Sequence, residues 1–341
     1  MLGVPKILPE DAIMTTHYQW RYALVLLMLL VVACGQAAQP TPGAGPDAKT
    51  PVTIRVSGAF ALFPMMAVWA EAYSQQHPHV TFDLQGGGAG KGMADMLTGV
   101  ADMAMLSRAP RQEELDQGAF LMPAAIDAVV ATVNANNPAL ERLLATGLTP
   151  EKAAALWLRE EVATWGALVG SDDTARITVY TRSDSSGAAE VWSLFMGGTG
   201  QEDLQGIAVN GDPGLAEAVR QDVHGIGFNN IVFAYSMATG QQIEGLRVVP
   251  LDLNGDGTIT ADEDFYADRL LLHDAVAAHQ YPHPPARLLY LVTKGPPAPE
   301  IAAFYRWMLT EGQSLVDAAG FVGLNPASVE AGLGLLPLSD E

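Results

Sequence analysis

A single cysteine, Cys34, stands in the 341 residues, so no internal disulfide can form and metal centres built on paired thiolates are excluded. Positive charge is scarce: 18 Lys and Arg face 38 Asp and Glu, a net charge of −20. A phosphate backbone would be repelled over most of such a surface, which argues against a nucleic-acid partner. No apolar run reaches the roughly 20 residues that span a bilayer. The nucleophile-elbow pattern Gly-x-Ser-x-Gly is missing, and His77, His79, His224, His273, His279 and His283 have no Cys or Glu at zinc spacing, which leaves them as surface histidines. Met93, Met96, Met103 and Met105 follow apolar faces and read as core packing, not copper ligands. What the chain does have is 49% hydrophobic residues with 34 Gly and 22 Pro, enough core for one large α/β domain or two medium ones.

Residues 22–33 form a short apolar run with Arg21 on its flank, followed by Cys34 and Gly35. This is the pattern of a leader, not a membrane span, and Val31-Val32-Ala33-Cys34-Gly35 resembles a bacterial lipoprotein signal. The expectation is a signal peptide over 1–33, with Met14 an alternative start to Met1, lipidation at Cys34 and an extracytoplasmic, membrane-anchored protein. Residues 34–51 are small, polar and rich in proline, a flexible tether from lipid to domain.

Beyond the tether, strands and helices alternate. Residues 52–57, 80–84, 101–108 and 176–180 read as strands, and 67–73, 93–99 and 188–195 as helices. That alternation argues a parallel or mixed sheet with ligands beyond the carboxyl ends of its strands. The most informative loop is Thr181-Arg182-Ser183-Asp184-Ser185-Ser186-Gly187, which sets a fixed cation and free hydroxyls where a helix begins. Unpaired N–H groups and the helix dipole favour negative charge there, and Arg182 can add a planar fork of donors. Ser, Asp and Gly ahead of a helix are also ordinary caps, so this stretch alone leaves both readings open.

The glycine run 86–92 fits neither nucleotide motif. Gln85 stands where a Walker loop needs Gly, Gly92 where it needs Ser or Thr, and Lys91 and Met93 break the dinucleotide fingerprint. A turn that lets backbone approach a ligand or a facing domain is the simpler reading.

Seven segments, in order, resemble the substrate-binding proteins of bacterial ABC phosphate importers: 57–64, 85–91, 101–108, 123–130, 181–187, 225–228 and 281–290. The resemblance implies an α/β fold of the two-lobe type II periplasmic binding protein kind, each lobe a mixed sheet flanked by helices. Residues 52–130 plus 280–335 would form lobe 1 and 131–279 lobe 2, crossing near 128–134 and returning near 281–290. It implies phosphate held between the lobes by the loops carrying Ala59, Phe60, Ala61, Ser107, Arg108, Arg182, Ser186, Gly187 and Ala188, and release to an ABC permease by a monomeric protein that is not an enzyme.

Two departures bear on specificity. Ala61 and Ala188 replace hydroxyl residues, so backbone N–H groups carry more of the binding. Arg108 stands where some relatives place an Asp that accepts the phosphate proton, which leaves Asp184, Asp127 and Glu190 as candidates for that task. Another tetrahedral oxyanion, a non-transport anion sensor and a secreted phosphoryl-transfer hydrolase are the alternatives.

A second motif spans 252–263 and fits the twelve-residue EF-hand calcium loop. Asp252, Asn254 and Asp256 supply side-chain oxygens, Gly257 the turn, Thr258 its carbonyl, Thr260 a water, and Glu263 a bidentate carboxylate. Residues 245–250 ahead of it read as a strand, so the expectation is a structural Ca²⁺ and not a helix-opening sensor.

Overall fold

The computed structural model describes residues 49–337; the leader, Cys34 and the tether as far as residue 48 lie outside the described residues. Among the described residues nine strands join in one sheet, eight of them in a single path and the ninth paired beside it. Strand β1 (Val52–Gly58) pairs in parallel with β2 (Val80–Gly86) and β3 (Met103–Leu106), and β3 pairs antiparallel with β9 (Ala286–Lys294). Strand β4 (Ala119–Asn134) then runs antiparallel to β9 as far as Ala128, and its last residues pair with β7 (Gly225–Asn230) and β8 (Leu246–Val249). Beyond β7 lie β5 (Thr178–Arg182) and β6 (Ile207–Val209), both parallel additions. Residues 128–134, read from the sequence as a crossing, are the second half of one 16-residue strand. Nearly every side chain from Ala124 onward is buried, so the strand is stabilised on both faces as it passes from one part of the sheet to the next.

Two apolar cores sit on this frame. The first gathers Trp69, Met65, Met66, Phe304, Tyr305 and Met308 around β1, β3 and β9, and includes Met93, Met96, Met103 and Met105, the methionines read as core. The second gathers Trp157, Trp165, Trp192 and Phe228 around β5, β7 and the end of β4. Trp192 stacks on Phe228 at 5.9 Å and meets Trp157 edge-on at 5.5 Å. Each such ring removed from water contributes about 1.5–3 kcal/mol.

Two helices begin earlier than their sequence patterns suggest. Helix α1 (Phe63–Gln76) carries Pro64 in its first turn, where the missing N–H costs nothing. Helix α2 (Ala89–Thr98) starts inside the glycine run, with Gly90 and Gly92 as helical residues. A Cβ on Gly92 would lie 2.5 Å from the Gly58 Cα, and one on Gly90 would lie 2.2 Å from the Ser185 hydroxyl. The close approach of helix to strand and loop thus offsets the roughly 1 kcal/mol that each helical glycine costs.

Candidate anion-binding site

The parallel strands end at one cleft. The loop after β1, the start of α2 after β2, Ser107 after β3, Arg182 at the end of β5 and residues 186–188 beyond it all border one small, tightly lined space. Ala59, Phe60, Ala61, Ser107, Arg182, Ser186, Gly187 and Ala188 line it together, though they come from three separate loops. Helix α7 (Gly187–Phe195) points its first turn at the space, and Ser186 caps it by accepting from the Ala189 N–H at 3.3 Å. Leading N–H groups of a helix lack intrahelical acceptors, so Gly187 and Ala188 offer donors to an anion. Ala59 spends its N–H on the Met105 carbonyl at 2.9 Å, which leaves Phe60 and Ala61 as the donors of the first loop.

Arg182 is fixed from two sides. Its Nε and Nη2 donate to Asp184 at 2.9 and 2.6 Å, and its Nη1 donates to Asp212 Oδ2 at 2.6 Å. Burial works against the guanidinium charge, but the two carboxylates outweigh it and Arg182 holds its proton more firmly than usual. Burial likewise opposes the Asp184 charge, and Arg182 overrides it to keep that carboxyl below its ordinary range. The Phe60 ring sits 5.9 Å from the guanidinium carbon and covers its open face.

Arg108 is not in the lining. Its guanidinium forks onto Glu114 at 2.9 and 2.6 Å and reaches Glu190 at 3.5 Å. The reason is local: Glu114 caps the short helix α3 (Gln112–Asp116) by accepting from the Arg111 N–H, is itself buried, and draws the nearest cation. Glu190, also bound by Arg111 at 3.2 Å, is occupied in the same way.

Asp127 lies deeper, wholly buried on β4, 3.2 Å from Arg287 of the neighbouring β9. Burial pushes its carboxyl up to about 6 against the pull of Arg287. Arg287 also donates to the Ser107 carbonyl at 3.2 Å and to Asn230 Oδ1, so it ties a residue of the first loop set to one of the second.

Sequence reading missed Gly88, Ala89, Asp212 and Asn230, which complete the lining. The signal for Asp212 was Gly211-Asp212-Pro213-Gly214, the first turn of helix α8 (Gly211–Gln221) just after β6, a second helix start bordering the same space. Of the carboxylates considered from sequence as proton acceptors, Asp184, Asp127 and Glu190, none lines the cleft; Asp212 does.

The loop 252–263 follows β8 directly, without an entering helix. Asp252 accepts from the Gly255 and Gly257 N–H groups, Asn254 from Asp256 and Asp256 from Thr258. Glu263 reaches back from the far end to accept from Leu253, Asn254 and Thr260. Asp252 and Glu263 are both buried, and backbone donors hold the Glu263 carboxyl below its ordinary range despite burial. Among the described residues, no group of three or more His, Cys, Asp or Glu side chains is arranged to hold a metal ion, so Asn254 and the threonine oxygens would have to take part.

A PBP superfamily domain matches residues 41–311. The chain belongs to that superfamily. Its curated relatives include the phosphate-binding protein PstS of Pseudomonas aeruginosa, 26% identical over 301 residues, covering 80% of this chain and 83% of that one. PstS of Methanocaldococcus jannaschii is 23% identical and covers 93% of this chain and 94% of its own. Among solved structures, a Clostridium perfringens protein with bound phosphate superposes with a TM-score of 0.64 at 21% identity, over 80% of this chain and 100% of that one. An ABC-type phosphate transport receptor from Vibrio cholerae gives 0.57 at 24% identity, again over 80% and 100%. These two share the mixed α/β fold of this PBP superfamily member. No helix among the described residues is long and apolar enough to cross a membrane.

Proposed function

We propose that this PBP superfamily protein captures inorganic phosphate in the cleft, outside the cytoplasm, and passes it to an ABC permease. The observation that carries the reading is Arg182, buried and fixed at the end of β5, bordering the same space as Phe60, Ala61, Gly187 and Ala188. Relatives named for phosphate binding support the choice of anion. Cys34 would carry the lipid and the protein would act as a monomer without turnover. Ser186, the hydroxyl at the helix start, already serves as its cap, which favours holding over attack. Titration calorimetry of the purified protein at neutral pH tests this: phosphate is expected to bind with a Kd of about 1 μM or tighter. Absence of heat with phosphate and with sulfate would overturn it, and turnover of a chromogenic phosphate ester would favour the hydrolase.

A second reading concerns the loop after β8. We infer that 252–263 takes up Ca²⁺ through Asp252, Asn254, Asp256, the Thr258 carbonyl, Glu263 and, through water, Thr260; the self-bonded loop with its ends buried supports this. At calcium a hundredfold above Kd the folded state gains about 2.7 kcal/mol. Chelation is therefore expected to lower the melting temperature by about 5 °C, restored by calcium and not by magnesium. An unchanged melting curve would rule the ion out.

A further inference from the structure

We propose that Arg111 and Glu190 form an electrostatic latch beside the cleft, made only when the chain after β3 meets the start of α7, and that this latch slows release of the bound anion. The inference rests on the reading of the cleft as an oxyanion site whose two sides part.

Four charges meet beside the cleft, and they are unevenly divided. Arg108, Arg111 and Glu114 all follow β3, whereas Glu190 comes from α7. Strand β3 belongs to the first core through Met103–Leu106, and α7 to the second through Ala188, Ala189, Val191 and Trp192. Arg108 and Glu114 satisfy each other within their own stretch, by the fork at 2.9 and 2.6 Å. The Arg111 guanidinium instead reaches across to the other core, its Nη2 donating to Glu190 Oε2 at 3.2 Å, and Arg108 Nε adds a longer contact at 3.5 Å. When the two sides part, Arg108 keeps Glu114, but Arg111 and Glu190 lose one another. The Glu190 side chain is only 17% exposed, so the pair is screened less than one on the open surface.

The place of Glu190 makes its pairing matter to the ligand. It lies in the first turn of α7, whose Gly187 and Ala188 border the anion space. An unmatched carboxylate one helical turn from an anion opposes it, and a carboxylate matched by Arg111 does so far less. The joined arrangement thus differs from the parted one in a charge that the anion feels, which is what a ligand needs to select between two states. Arg111 does not border the anion space itself; it borders a neighbouring hollow with Ser183, Asp184 and Ser185. Its influence on the anion therefore passes through Glu190, which makes it a positioning residue.

Calorimetry and stopped-flow measurements with inorganic phosphate at neutral pH test the latch. Arg111→Ala is expected to raise Kd about fivefold, through faster release with association little changed. In a Glu190→Gln background the same change is expected to alter Kd by less than about twofold, since no charge is left to match. Arg111→Lys keeps the charge and is expected to retain most of the affinity. Raising KCl from about 0.05 to about 0.5 M is expected to narrow the gap between the unmodified protein and Arg111→Ala. Arg159→Ala, which breaks exposed pairs with Glu151 and Glu161, is expected to leave phosphate affinity in place. An unchanged Kd in Arg111→Ala overturns the latch and leaves the oxyanion reading intact. An equal loss in the Glu190→Gln background, or a loss carried by slower association, also overturns it, because Arg111 would then attract the anion directly. Absence of binding to the unmodified protein by both phosphate and sulfate removes the oxyanion reading and the latch with it.

Discussion

Arg182→Met is expected to abolish phosphate binding at millimolar ligand and to lower the melting temperature by about 10 °C. The two effects have different origins. Binding is lost because the fixed cation at the end of β5 is gone. Stability is lost because Asp212, which is buried, and the largely covered side chain of Asp184 are left without the guanidinium that neutralised them. Breaking a buried ion pair by removing one partner costs about 3–5 kcal/mol, and in a chain of this size each kilocalorie shifts the melting point by about 2–4 °C. Adding Asp212→Asn to Arg182→Met removes one orphaned charge and is expected to recover part of the stability but none of the binding. Calorimetry and thermal melts on both variants check this. A single variant that melts like the original would show that the carboxylates do not depend on Arg182.

Gly187→Ala is expected to weaken phosphate binding by about a hundredfold while changing ligand-free stability by less than about 1 kcal/mol. Gly187 opens α7, which packs in the second core, and Ser107 directly follows β3 in the first. A Cβ on Gly187 would lie 2.3 Å from the Ser107 carbonyl oxygen and 2.4 Å from its hydroxyl. The first of these is backbone and cannot swing aside. On the proposed two-lobe reading the strain is relieved when the lobes stand apart, so the substitution would penalise the closed arrangement alone. Apparent affinity then falls with the population of the binding-competent form. The helix itself tolerates alanine, which it prefers to glycine. A matching loss of ligand-free stability would mean that the contact belongs to the resting structure; unchanged affinity would mean that closure against Ser107 is not needed.

What the sequence disclosed and what it hid divide along the range of the interactions. The anion loop was legible because its signals are local: β-branched alternation before Arg182, a capping serine, and apolar residues at helical spacing after it. The strand ahead of the loop 252–263 was legible for the same reason. The direction of Arg108 was not, since it depends on Glu114 being buried beneath it. Nor was Asp212, which reaches the cleft only when β6 is laid beside β5. The helical character of Gly90 and Gly92 was hidden too, because intrinsic preference opposes it and only contact with Gly58 and Ser185 reverses the balance.

Strand β9 also bears on the order in which the protein can take shape during synthesis. It lies between β3 and β4 in the sheet, yet it is made only after everything from β4 to helix α10 (Arg269–Ala277). Nearly all of the second core comes from chain that precedes it. A nascent chain can therefore complete the part it begins later before the part it begins first, while Met103–Leu106, all four buried in the finished sheet, waits as an open apolar edge. Until residue 294 has emerged, that edge is the place where the chain is most exposed to pairing with the wrong neighbour.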